Sequence, residues 1–241
     1  ALASGHWTNV AARDPVKTYN RFAVDSLAGV DARFAWPRFL AATGVAGRSA
    51  EVVVREPSFV AALADAIATT PLPVWKAYLR TRLLDAYAPV LGNDFVAARF
   101  AFAGTALSGT PENLARWRRG IALVQQSLGD ALGRLYVARH HPARSQQKME
   151  VLVDNLFAAY RESIDSIDWM GPATKREAQA KLATFAPKIG YPKRWIDYGT
   201  LEIRRGDLAG NVVRAREFAW QRDVAKLGKP VDRDEWFMTP Q

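Results

Sequence analysis

His6, His140 and His141 are the only imidazoles in the chain, and it has no cysteine. Without thiols there is no disulfide framework, no cysteine nucleophile and no cysteine metal site. Adjacent side chains on a helix point apart, so His140 and His141 cannot share a metal on one face. No His-Glu-x-x-His occurs, the spacing that sets two imidazoles one turn apart with a glutamate base beside them. His140 and His141 read instead as exposed residues beside a helix C-terminal dipole. Carboxylates of the type used in general acid–base chemistry lie close in sequence at Glu150/Asp154, Asp165/Asp168 and Asp232/Asp234/Glu235. The first two pairs are helical neighbours, and such pairs more often face solvent or a Lys or Arg. Ser108 sits in a Ser-Gly turn with no base nearby in sequence, and the chain has no Gly-x-Ser-x-Gly. There is no Gly-x-x-x-x-Gly-Lys-Ser/Thr phosphate loop either, and Gly129-x-x-x-Gly133 has the spacing of close helix packing. The residues therefore assign no catalytic group and no metal ligand, and they leave the substrate-binding residues unknown.

What must hold these side chains is a large core. The chain has 241 residues, 49% of them hydrophobic and 24% charged, as in an ordinary globular protein. Eight Trp point to large aromatics wedged between helices. A net charge of +9 permits an anionic partner, nucleic acid included. The basic residues are dispersed, however, with Arg116, Arg118 and Arg119 as the densest cluster, and Trp75, Trp117 and Trp220 fall on apolar stripes. A nucleic-acid face would need aromatics among its cations, so a basic surface without nucleic acid is expected, with the three tryptophans in the core. No window of 18 apolar residues spans a membrane. The N-terminus lacks the charged start of a signal peptide and reads as that of a mature or cut product.

Hydrophobic spacing predicts helices almost throughout. Residues 1–13 read as the tail of a helix stopped by Asp14-Pro15. Residues 17–20 read as a turn or a short extended piece, and 24–27 and 36–42 as short helices. Val52-Val53-Val54 is the best strand-like run, too short for a sheet without partners. Pro57 opens a helix. Thr70-Pro71 caps and opens the next, whose apolar face is Leu72, Trp75, Leu79, Leu83, Ala86 and Val90. Gly92 ends it and Asn93 caps 94–107. Thr110-Pro111-Glu112 restarts a helix carrying Leu114, Trp117, Ile121, Val124, Leu128, Ala131 and Leu135, an unbroken stripe over ~25 residues, about 37 Å. Gly120, Gly129 and Gly133 within it suggest close approach of another backbone. His140-His141-Pro142 stops that helix. Ser145 caps the next, with Met149, Leu152, Val153, Leu156, Tyr160, Ile164 and Ile167 buried. A charged helix occupies 172–185. The stretch 167–198 holds three rigid corners, Gly171-Pro172, Pro187 and Gly190-Tyr191-Pro192, with Trp169, Tyr191, Trp195 and Tyr198 beside them. Gly and Pro punctuate and aromatics plug gaps, so this is a structural joint between two long helices. An extended piece at 201–203 and a last helix over 208–227 complete a mainly α fold. The expected architecture is a bundle of long antiparallel helices with at most short strands, in one domain spanning 1–241.

Several segments, in order, resemble the neprilysin and endothelin-converting-enzyme family of zinc metallopeptidases. Arg13-Asp14-Pro15-Val16-Lys17-Thr18-Tyr19-Asn20 is similar to its Arg-Asn/Asp-Pro-x-Lys-x-Tyr-Asn. Trp117-Arg118-Arg119 with Gly133-Arg134-Leu135-Tyr136-Val137 beyond it resembles its Trp-Lys/Arg-Arg helix and Gly-x-Leu-Tyr-Val. Lys188-Ile189-Gly190-Tyr191-Pro192 is close to its Lys-Ile-Gly-Tyr-Pro. Asp168-Trp169-Met170, Thr174-Lys175 and Lys229-Pro230-Val231-Asp232-Arg233-Asp234-Glu235-Trp236 also match. The resemblance implies two lobes, a catalytic one with zinc and a large helical one covering it, and this chain is similar to the helical lobe. The family's His-Glu-x-x-His helix and its substrate-gripping Asn-Ala strand have no counterpart here. The resemblance further implies zinc-assisted peptide hydrolysis by the full-length enzyme, with glutamate taking the proton of a zinc-bound water. This piece itself is expected to be inactive and without zinc. Its implied partners are a catalytic domain in the same polypeptide and short peptide substrates. An exported or periplasmic bacterial member is expected. The alternative is a basic helical scaffold, or a module binding nucleic acid or an acidic partner.

Overall fold

The computed structural model describes residues 2–238. Ala1 and residues 239–241, with the uncapped C-terminal end, lie outside the described residues. The fold is mainly α, with a single two-stranded sheet among the described residues. The chain divides into two compact units.

The first unit comprises residues 1–113, 207–209 and 217–230. Its core forms around Leu27, Trp36, Leu40 and Val54, with Leu27 only 1% exposed. Strand β1 (Arg21–Ala23) pairs antiparallel with β2 (Glu51–Val53), and Phe22 faces Val52 across the pair. Period-2 alternation turns those two side chains onto the core and leaves Arg21 and Glu51 outside, 3.2 Å apart as an ion pair. The strand-like valines thus find their partner in three residues that carry no strand signal beyond Phe22. A 3₁₀ turn (Val24–Gly29) then drives Leu27 inward. Helix α1 (Trp36–Ala42) lays Trp36 and Leu40, one turn apart, on the same core.

Helix α2 (Pro57–Thr69) opens with proline, as expected. The N-terminal residues are not a helix tail. They form two separate 3₁₀ turns, Leu2–Gly5 and Ala11–Arg13. His6 stacks on Phe59 at 4.1 Å, and the Trp7 indole donates to Ser58 Oγ at 2.7 Å, so the first turn docks on the start of α2. Helix α3 (Leu72–Tyr87) begins after Pro71 with no side-chain cap, while Thr70 flanks the end of α2 instead. Helix α4 (Asn93–Arg99) runs on into wide π turns at Phe100–Ala106. The Phe100 ring lies on Gly104 so closely that a Cβ there would collide with it.

The second unit comprises residues 114–206, 210–216 and 231–241. Helix α5 (Arg116–His140) starts five residues after Pro111, because residues 111–115 stay open. It is interrupted at Leu128 (φ −136°, ψ 39°), so the expected continuous stripe is broken there. Gly133 is buried, but Gly120 is exposed, with nothing within 4 Å of where its Cβ would stand. Helix α6 (Ala143–Ser166) begins after Pro142, so Ser145 lies inside the first turn rather than capping it. Helix α7 (Pro172–Ala183) packs back on α6. Gln179 donates to Arg161 O (2.9 Å) and Asp165 Oδ1 (2.8 Å), and Lys175 Nζ to Asp165 O (2.6 Å). That ammonium sits where the carbonyls at the C-terminus of α6 need a cation. Helix α8 (Leu208–Val224) contributes residues 210–216 to this unit, including the buried Val212 and Ala215.

Trp117 and Trp220 are not core residues: they are 63% and 47% exposed. Trp220 is held by its edge, its indole N–H donating to Thr43 O at 3.0 Å within the first unit. Trp75 is half-buried against Tyr78. No described helix is long and apolar enough to cross a membrane.

Candidate functional site

The structure sends the three histidines to separate duties. His6 Nδ1 lies 3.3 Å from Glu56 Oε2. His140 tilts against Tyr136 at 5.0 Å, and His141 turns its Nε2 to Gln146 Oε1 at 3.0 Å. Among the described residues, no group of three or more His, Cys, Asp or Glu could hold a metal ion. Ser108 Oγ donates to Ala103 O at 2.9 Å, which ties its hydroxyl into the π turn.

Three of the carboxylates singled out by spacing are tethered too. Asp165 receives Gln179, and Glu150 Oε1 receives Gln146 Nε2 at 2.8 Å. Asp232 takes Arg194 at 2.6 Å. Two carboxyl pKa values are displaced in the first unit. The Arg33 side chain, helped by its backbone N–H, holds the Asp31 carboxyl below the usual range. The backbone N–H of Trp7, 2.9 Å away, does the same for Glu56, with His6 adding to it. Both are local tethers and neither sits in a pocket with a nucleophile or a second acid.

The joint foreseen at residues 187–198 is the best-organised polar site of the second unit. Gly190 turns the chain with φ +73°. A Cβ there would strike Gln146 Oε1 and stand 3.0 Å from His141 Nε2, so glycine is required both for the turn and for the approach. Gln146 is the hub: its Nε2 donates to Ile189 O at 3.1 Å and to Glu150, while its Oε1 faces His141. Because that amide oxygen is an acceptor, the His141 nitrogen facing it carries the proton. Tyr191 meets His141 edge-on at 5.7 Å and stacks on Trp195 at 6.0 Å. Further along, Asp130 of α5 accepts the Ile196 N–H at 2.9 Å, and its own N–H points to Tyr198 Oη at 3.4 Å. The joint is thus pinned to both long helices of its unit. Neither Gln146 nor Asp130 could be found from the sequence, since their partners lie 43 and 66 residues away.

Two pockets flank this joint. One, of about 470 Å³, lies between α6 and α7 and is lined by Val153, Leu156, Phe157, Tyr160, Leu182 and Phe185 among others. The other, of about 480 Å³, is lined by Gln146, Glu150 and Asp154 of α6, by Pro187, Lys188, Ile189, Tyr191 and Lys193 of the joint, and by Arg233, Asp234 and Trp236. The first is apolar; the second carries both signs of charge.

Comparison with known proteins gives a consistent set of similarities. The model of peptidase family M13 matches residues 1–192. Neprilysin-2 of Drosophila melanogaster is 27% identical over 98% of this chain and 33% of its own length. The neutral endopeptidase of Lactobacillus helveticus is 28% identical over 78% of this chain and 29% of its own. In structure, the Mycobacterium tuberculosis zinc metalloprotease Zmp1 in its open state superposes with a TM-score of 0.89 at 44% identity, covering 99% of this chain and 37% of that one. PepO of Lactobacillus rhamnosis shares the fold at 23% identity with a TM-score of 0.82. The chain spans about a third of the length of these relatives.

Proposed function

This chain belongs to peptidase family M13, and we propose that it supplies the non-catalytic helical lobe of a zinc metalloendopeptidase. In this reading both compact units serve one covering lobe, residues 1–241. Its partner is a catalytic domain in the same polypeptide, and its task is to wall off the chamber in which short peptides are cut. The observation that carries the proposal is the extent of the match: 99% of this chain superposes on 37% of a protein named as a zinc metalloprotease, and 78% of it aligns with 29% of one named as a neutral endopeptidase. Among the described residues no group of three or more His, Cys, Asp or Glu could hold the zinc, and His6 and His141 are engaged by Glu56 and Gln146. No step of hydrolysis is therefore routed through them. What these helices contribute is exclusion: a wall of side chains admits a flexible peptide and rejects a folded chain by volume. An exported location, as expected from the resemblance, belongs to the same proposal.

The test compares the full-length protein with the 241-residue chain on a quenched fluorescent decapeptide. The full-length protein should cut it, lose activity to a chelator and regain it with zinc, while the chain alone stays inactive. A folded protein displaying the same sequence in a loop should remain uncut. Zinc-dependent cleavage by the chain alone would refute the division of labour, and equal cleavage of the folded substrate would remove the size filter.

A further inference from the structure

We propose that the charged pocket beside the 187–193 joint is a binding site for short zwitterionic peptides, taking a free ammonium against Asp154 and Asp234 and a free carboxylate against Lys193 and Arg233. Three elements of the second unit build it. Helix α6 presents Gln146, Glu150, Val153 and Asp154 on one face, at steps of three and four residues. The joint supplies Ile189 and Lys193, and the segment after Val231 supplies Arg233 and Trp236. That segment is fastened in place: Arg194 Nη2 reaches Asp232 Oδ2 at 2.6 Å, Lys188 Nζ donates to Glu235 O, and the same ammonium lies 5.7 Å from the Phe237 ring centroid.

Some of the charges around the pocket are spent on this scaffolding: Glu150 holds Gln146, Lys188 holds the strap, and Asp232 beside it holds Arg194. Four of the lining charges are not. Among the described residues, the side chains of Asp154, Lys193, Arg233 and Asp234 have neither a hydrogen bond nor an ion pair, Asp234 being tied only through its backbone N–H. Opposite charges that line one pocket without meeting leave room between them, here about 480 Å³, within the usual range for a small-molecule site. A dianion would meet Asp154 and Asp234, and a dication would meet Lys193 and Arg233. A ligand with one charge of each sign at its two ends satisfies both walls, and Val153, Ile189 and Trp236 offer apolar surface to what lies between. A di- or tripeptide has that chemistry. The proposal rests on the peptidase reading for the origin of such a peptide, as a product of cleavage, but not for its recognition.

Titration calorimetry on the intact protein, with chelator present so that nothing is cut, tests it with trialanine, acetyl-trialanine and trialanine amide. Trialanine should bind, and blocking either end should weaken it about tenfold, the scale of one charged hydrogen bond. Asp154→Asn with Asp234→Asn should weaken trialanine about as much as acetylation does and make acetylation costless. Lys193→Gln with Arg233→Gln should do the same for the amide. These four side chains have no structural partner, so the variants should fold, which circular dichroism checks. Asp168→Asn, outside the pocket, should change nothing. Equal binding of the three peptides, no binding of trialanine, or full binding by the doubly substituted aspartate variant would overturn the proposal. If trialanine binds as described while the full-length protein shows no zinc-dependent cleavage, the peptidase reading fails and the site stands. Cleavage without this binding removes the site alone.

Discussion

At Gly190 a single missing carbon decides the geometry of the joint. The residue needs the left-handed conformation, and Gln146 occupies the space a Cβ would take. The left-handed backbone alone costs an alanine ~1–2 kcal/mol, and displacing Gln146 also breaks its bonds to Ile189 and Glu150. Gly190→Ala should therefore lower stability by about 2–3 kcal/mol in urea unfolding. Gly120 is the contrasting case, a glycine on an exposed helix face in open space. Gly120→Ala should raise stability by ~0.5–1 kcal/mol through helix propensity. If the two substitutions had the same sign, the packing described around Gly190 would be wrong. The sequence marks Gly190 as a corner through its neighbour Pro192, but at Gly120 it suggests a close approach that the structure does not have.

Among the elements, those bounded by proline or glycine were the most legible. Helices α2, α6, α7 and α8 lie within about three residues of their expected limits, which is the ordinary uncertainty of helix ends. Thr110-Pro111-Glu112 has the composition of a helix start, yet the chain stays open until Arg116. Strand β1 is silent in the sequence because its pairing is a long-range event, and Arg21–Ala23 has one inward side chain to announce it. The docking of the first turn on α2 is likewise invisible locally, and its chemistry makes it sensitive to acid. The Trp7 backbone N–H and His6 hold the Glu56 carboxyl below its usual range, so this tether stabilises the fold above the ordinary glutamate value of about 4.3. It is lost as pH falls through the lower folded value. Glu56→Gln should thus be destabilising at pH 7, and the difference from wild type should shrink steadily below pH ~4. A difference that stayed constant down to pH ~3 would mean that the carboxylate charge has no part in the tether.

Over the whole molecule, fold class is legible in the sequence and burial is not. Periodicity tells which side of a helix is apolar but not whether anything covers it. Leu79 and Leu83 of α3, Trp117 and Leu135 of α5, and Leu156 and Tyr160 of α6 are each about half exposed or more. The accessible surface is 18071 Å² for 26.7 kDa, where a folded monomer of that mass exposes about 10,700 Å². Apolar patches of this extent mark surfaces that meet other surfaces. The 241-residue chain on its own should bind a hydrophobic dye such as ANS strongly and self-associate in light scattering, and the full-length protein should do both much less. Equal dye binding by the two would show that the exposed stripes stay bare in the longer protein proposed above. The break at Leu128 has a consequence of its own here. It makes α5 two short levers instead of one rod, the first bearing Trp117 and the second bearing Asp130 and the joint. The direction of the tryptophan end is thus set apart from that of the second half, which Asp130 aligns with the joint.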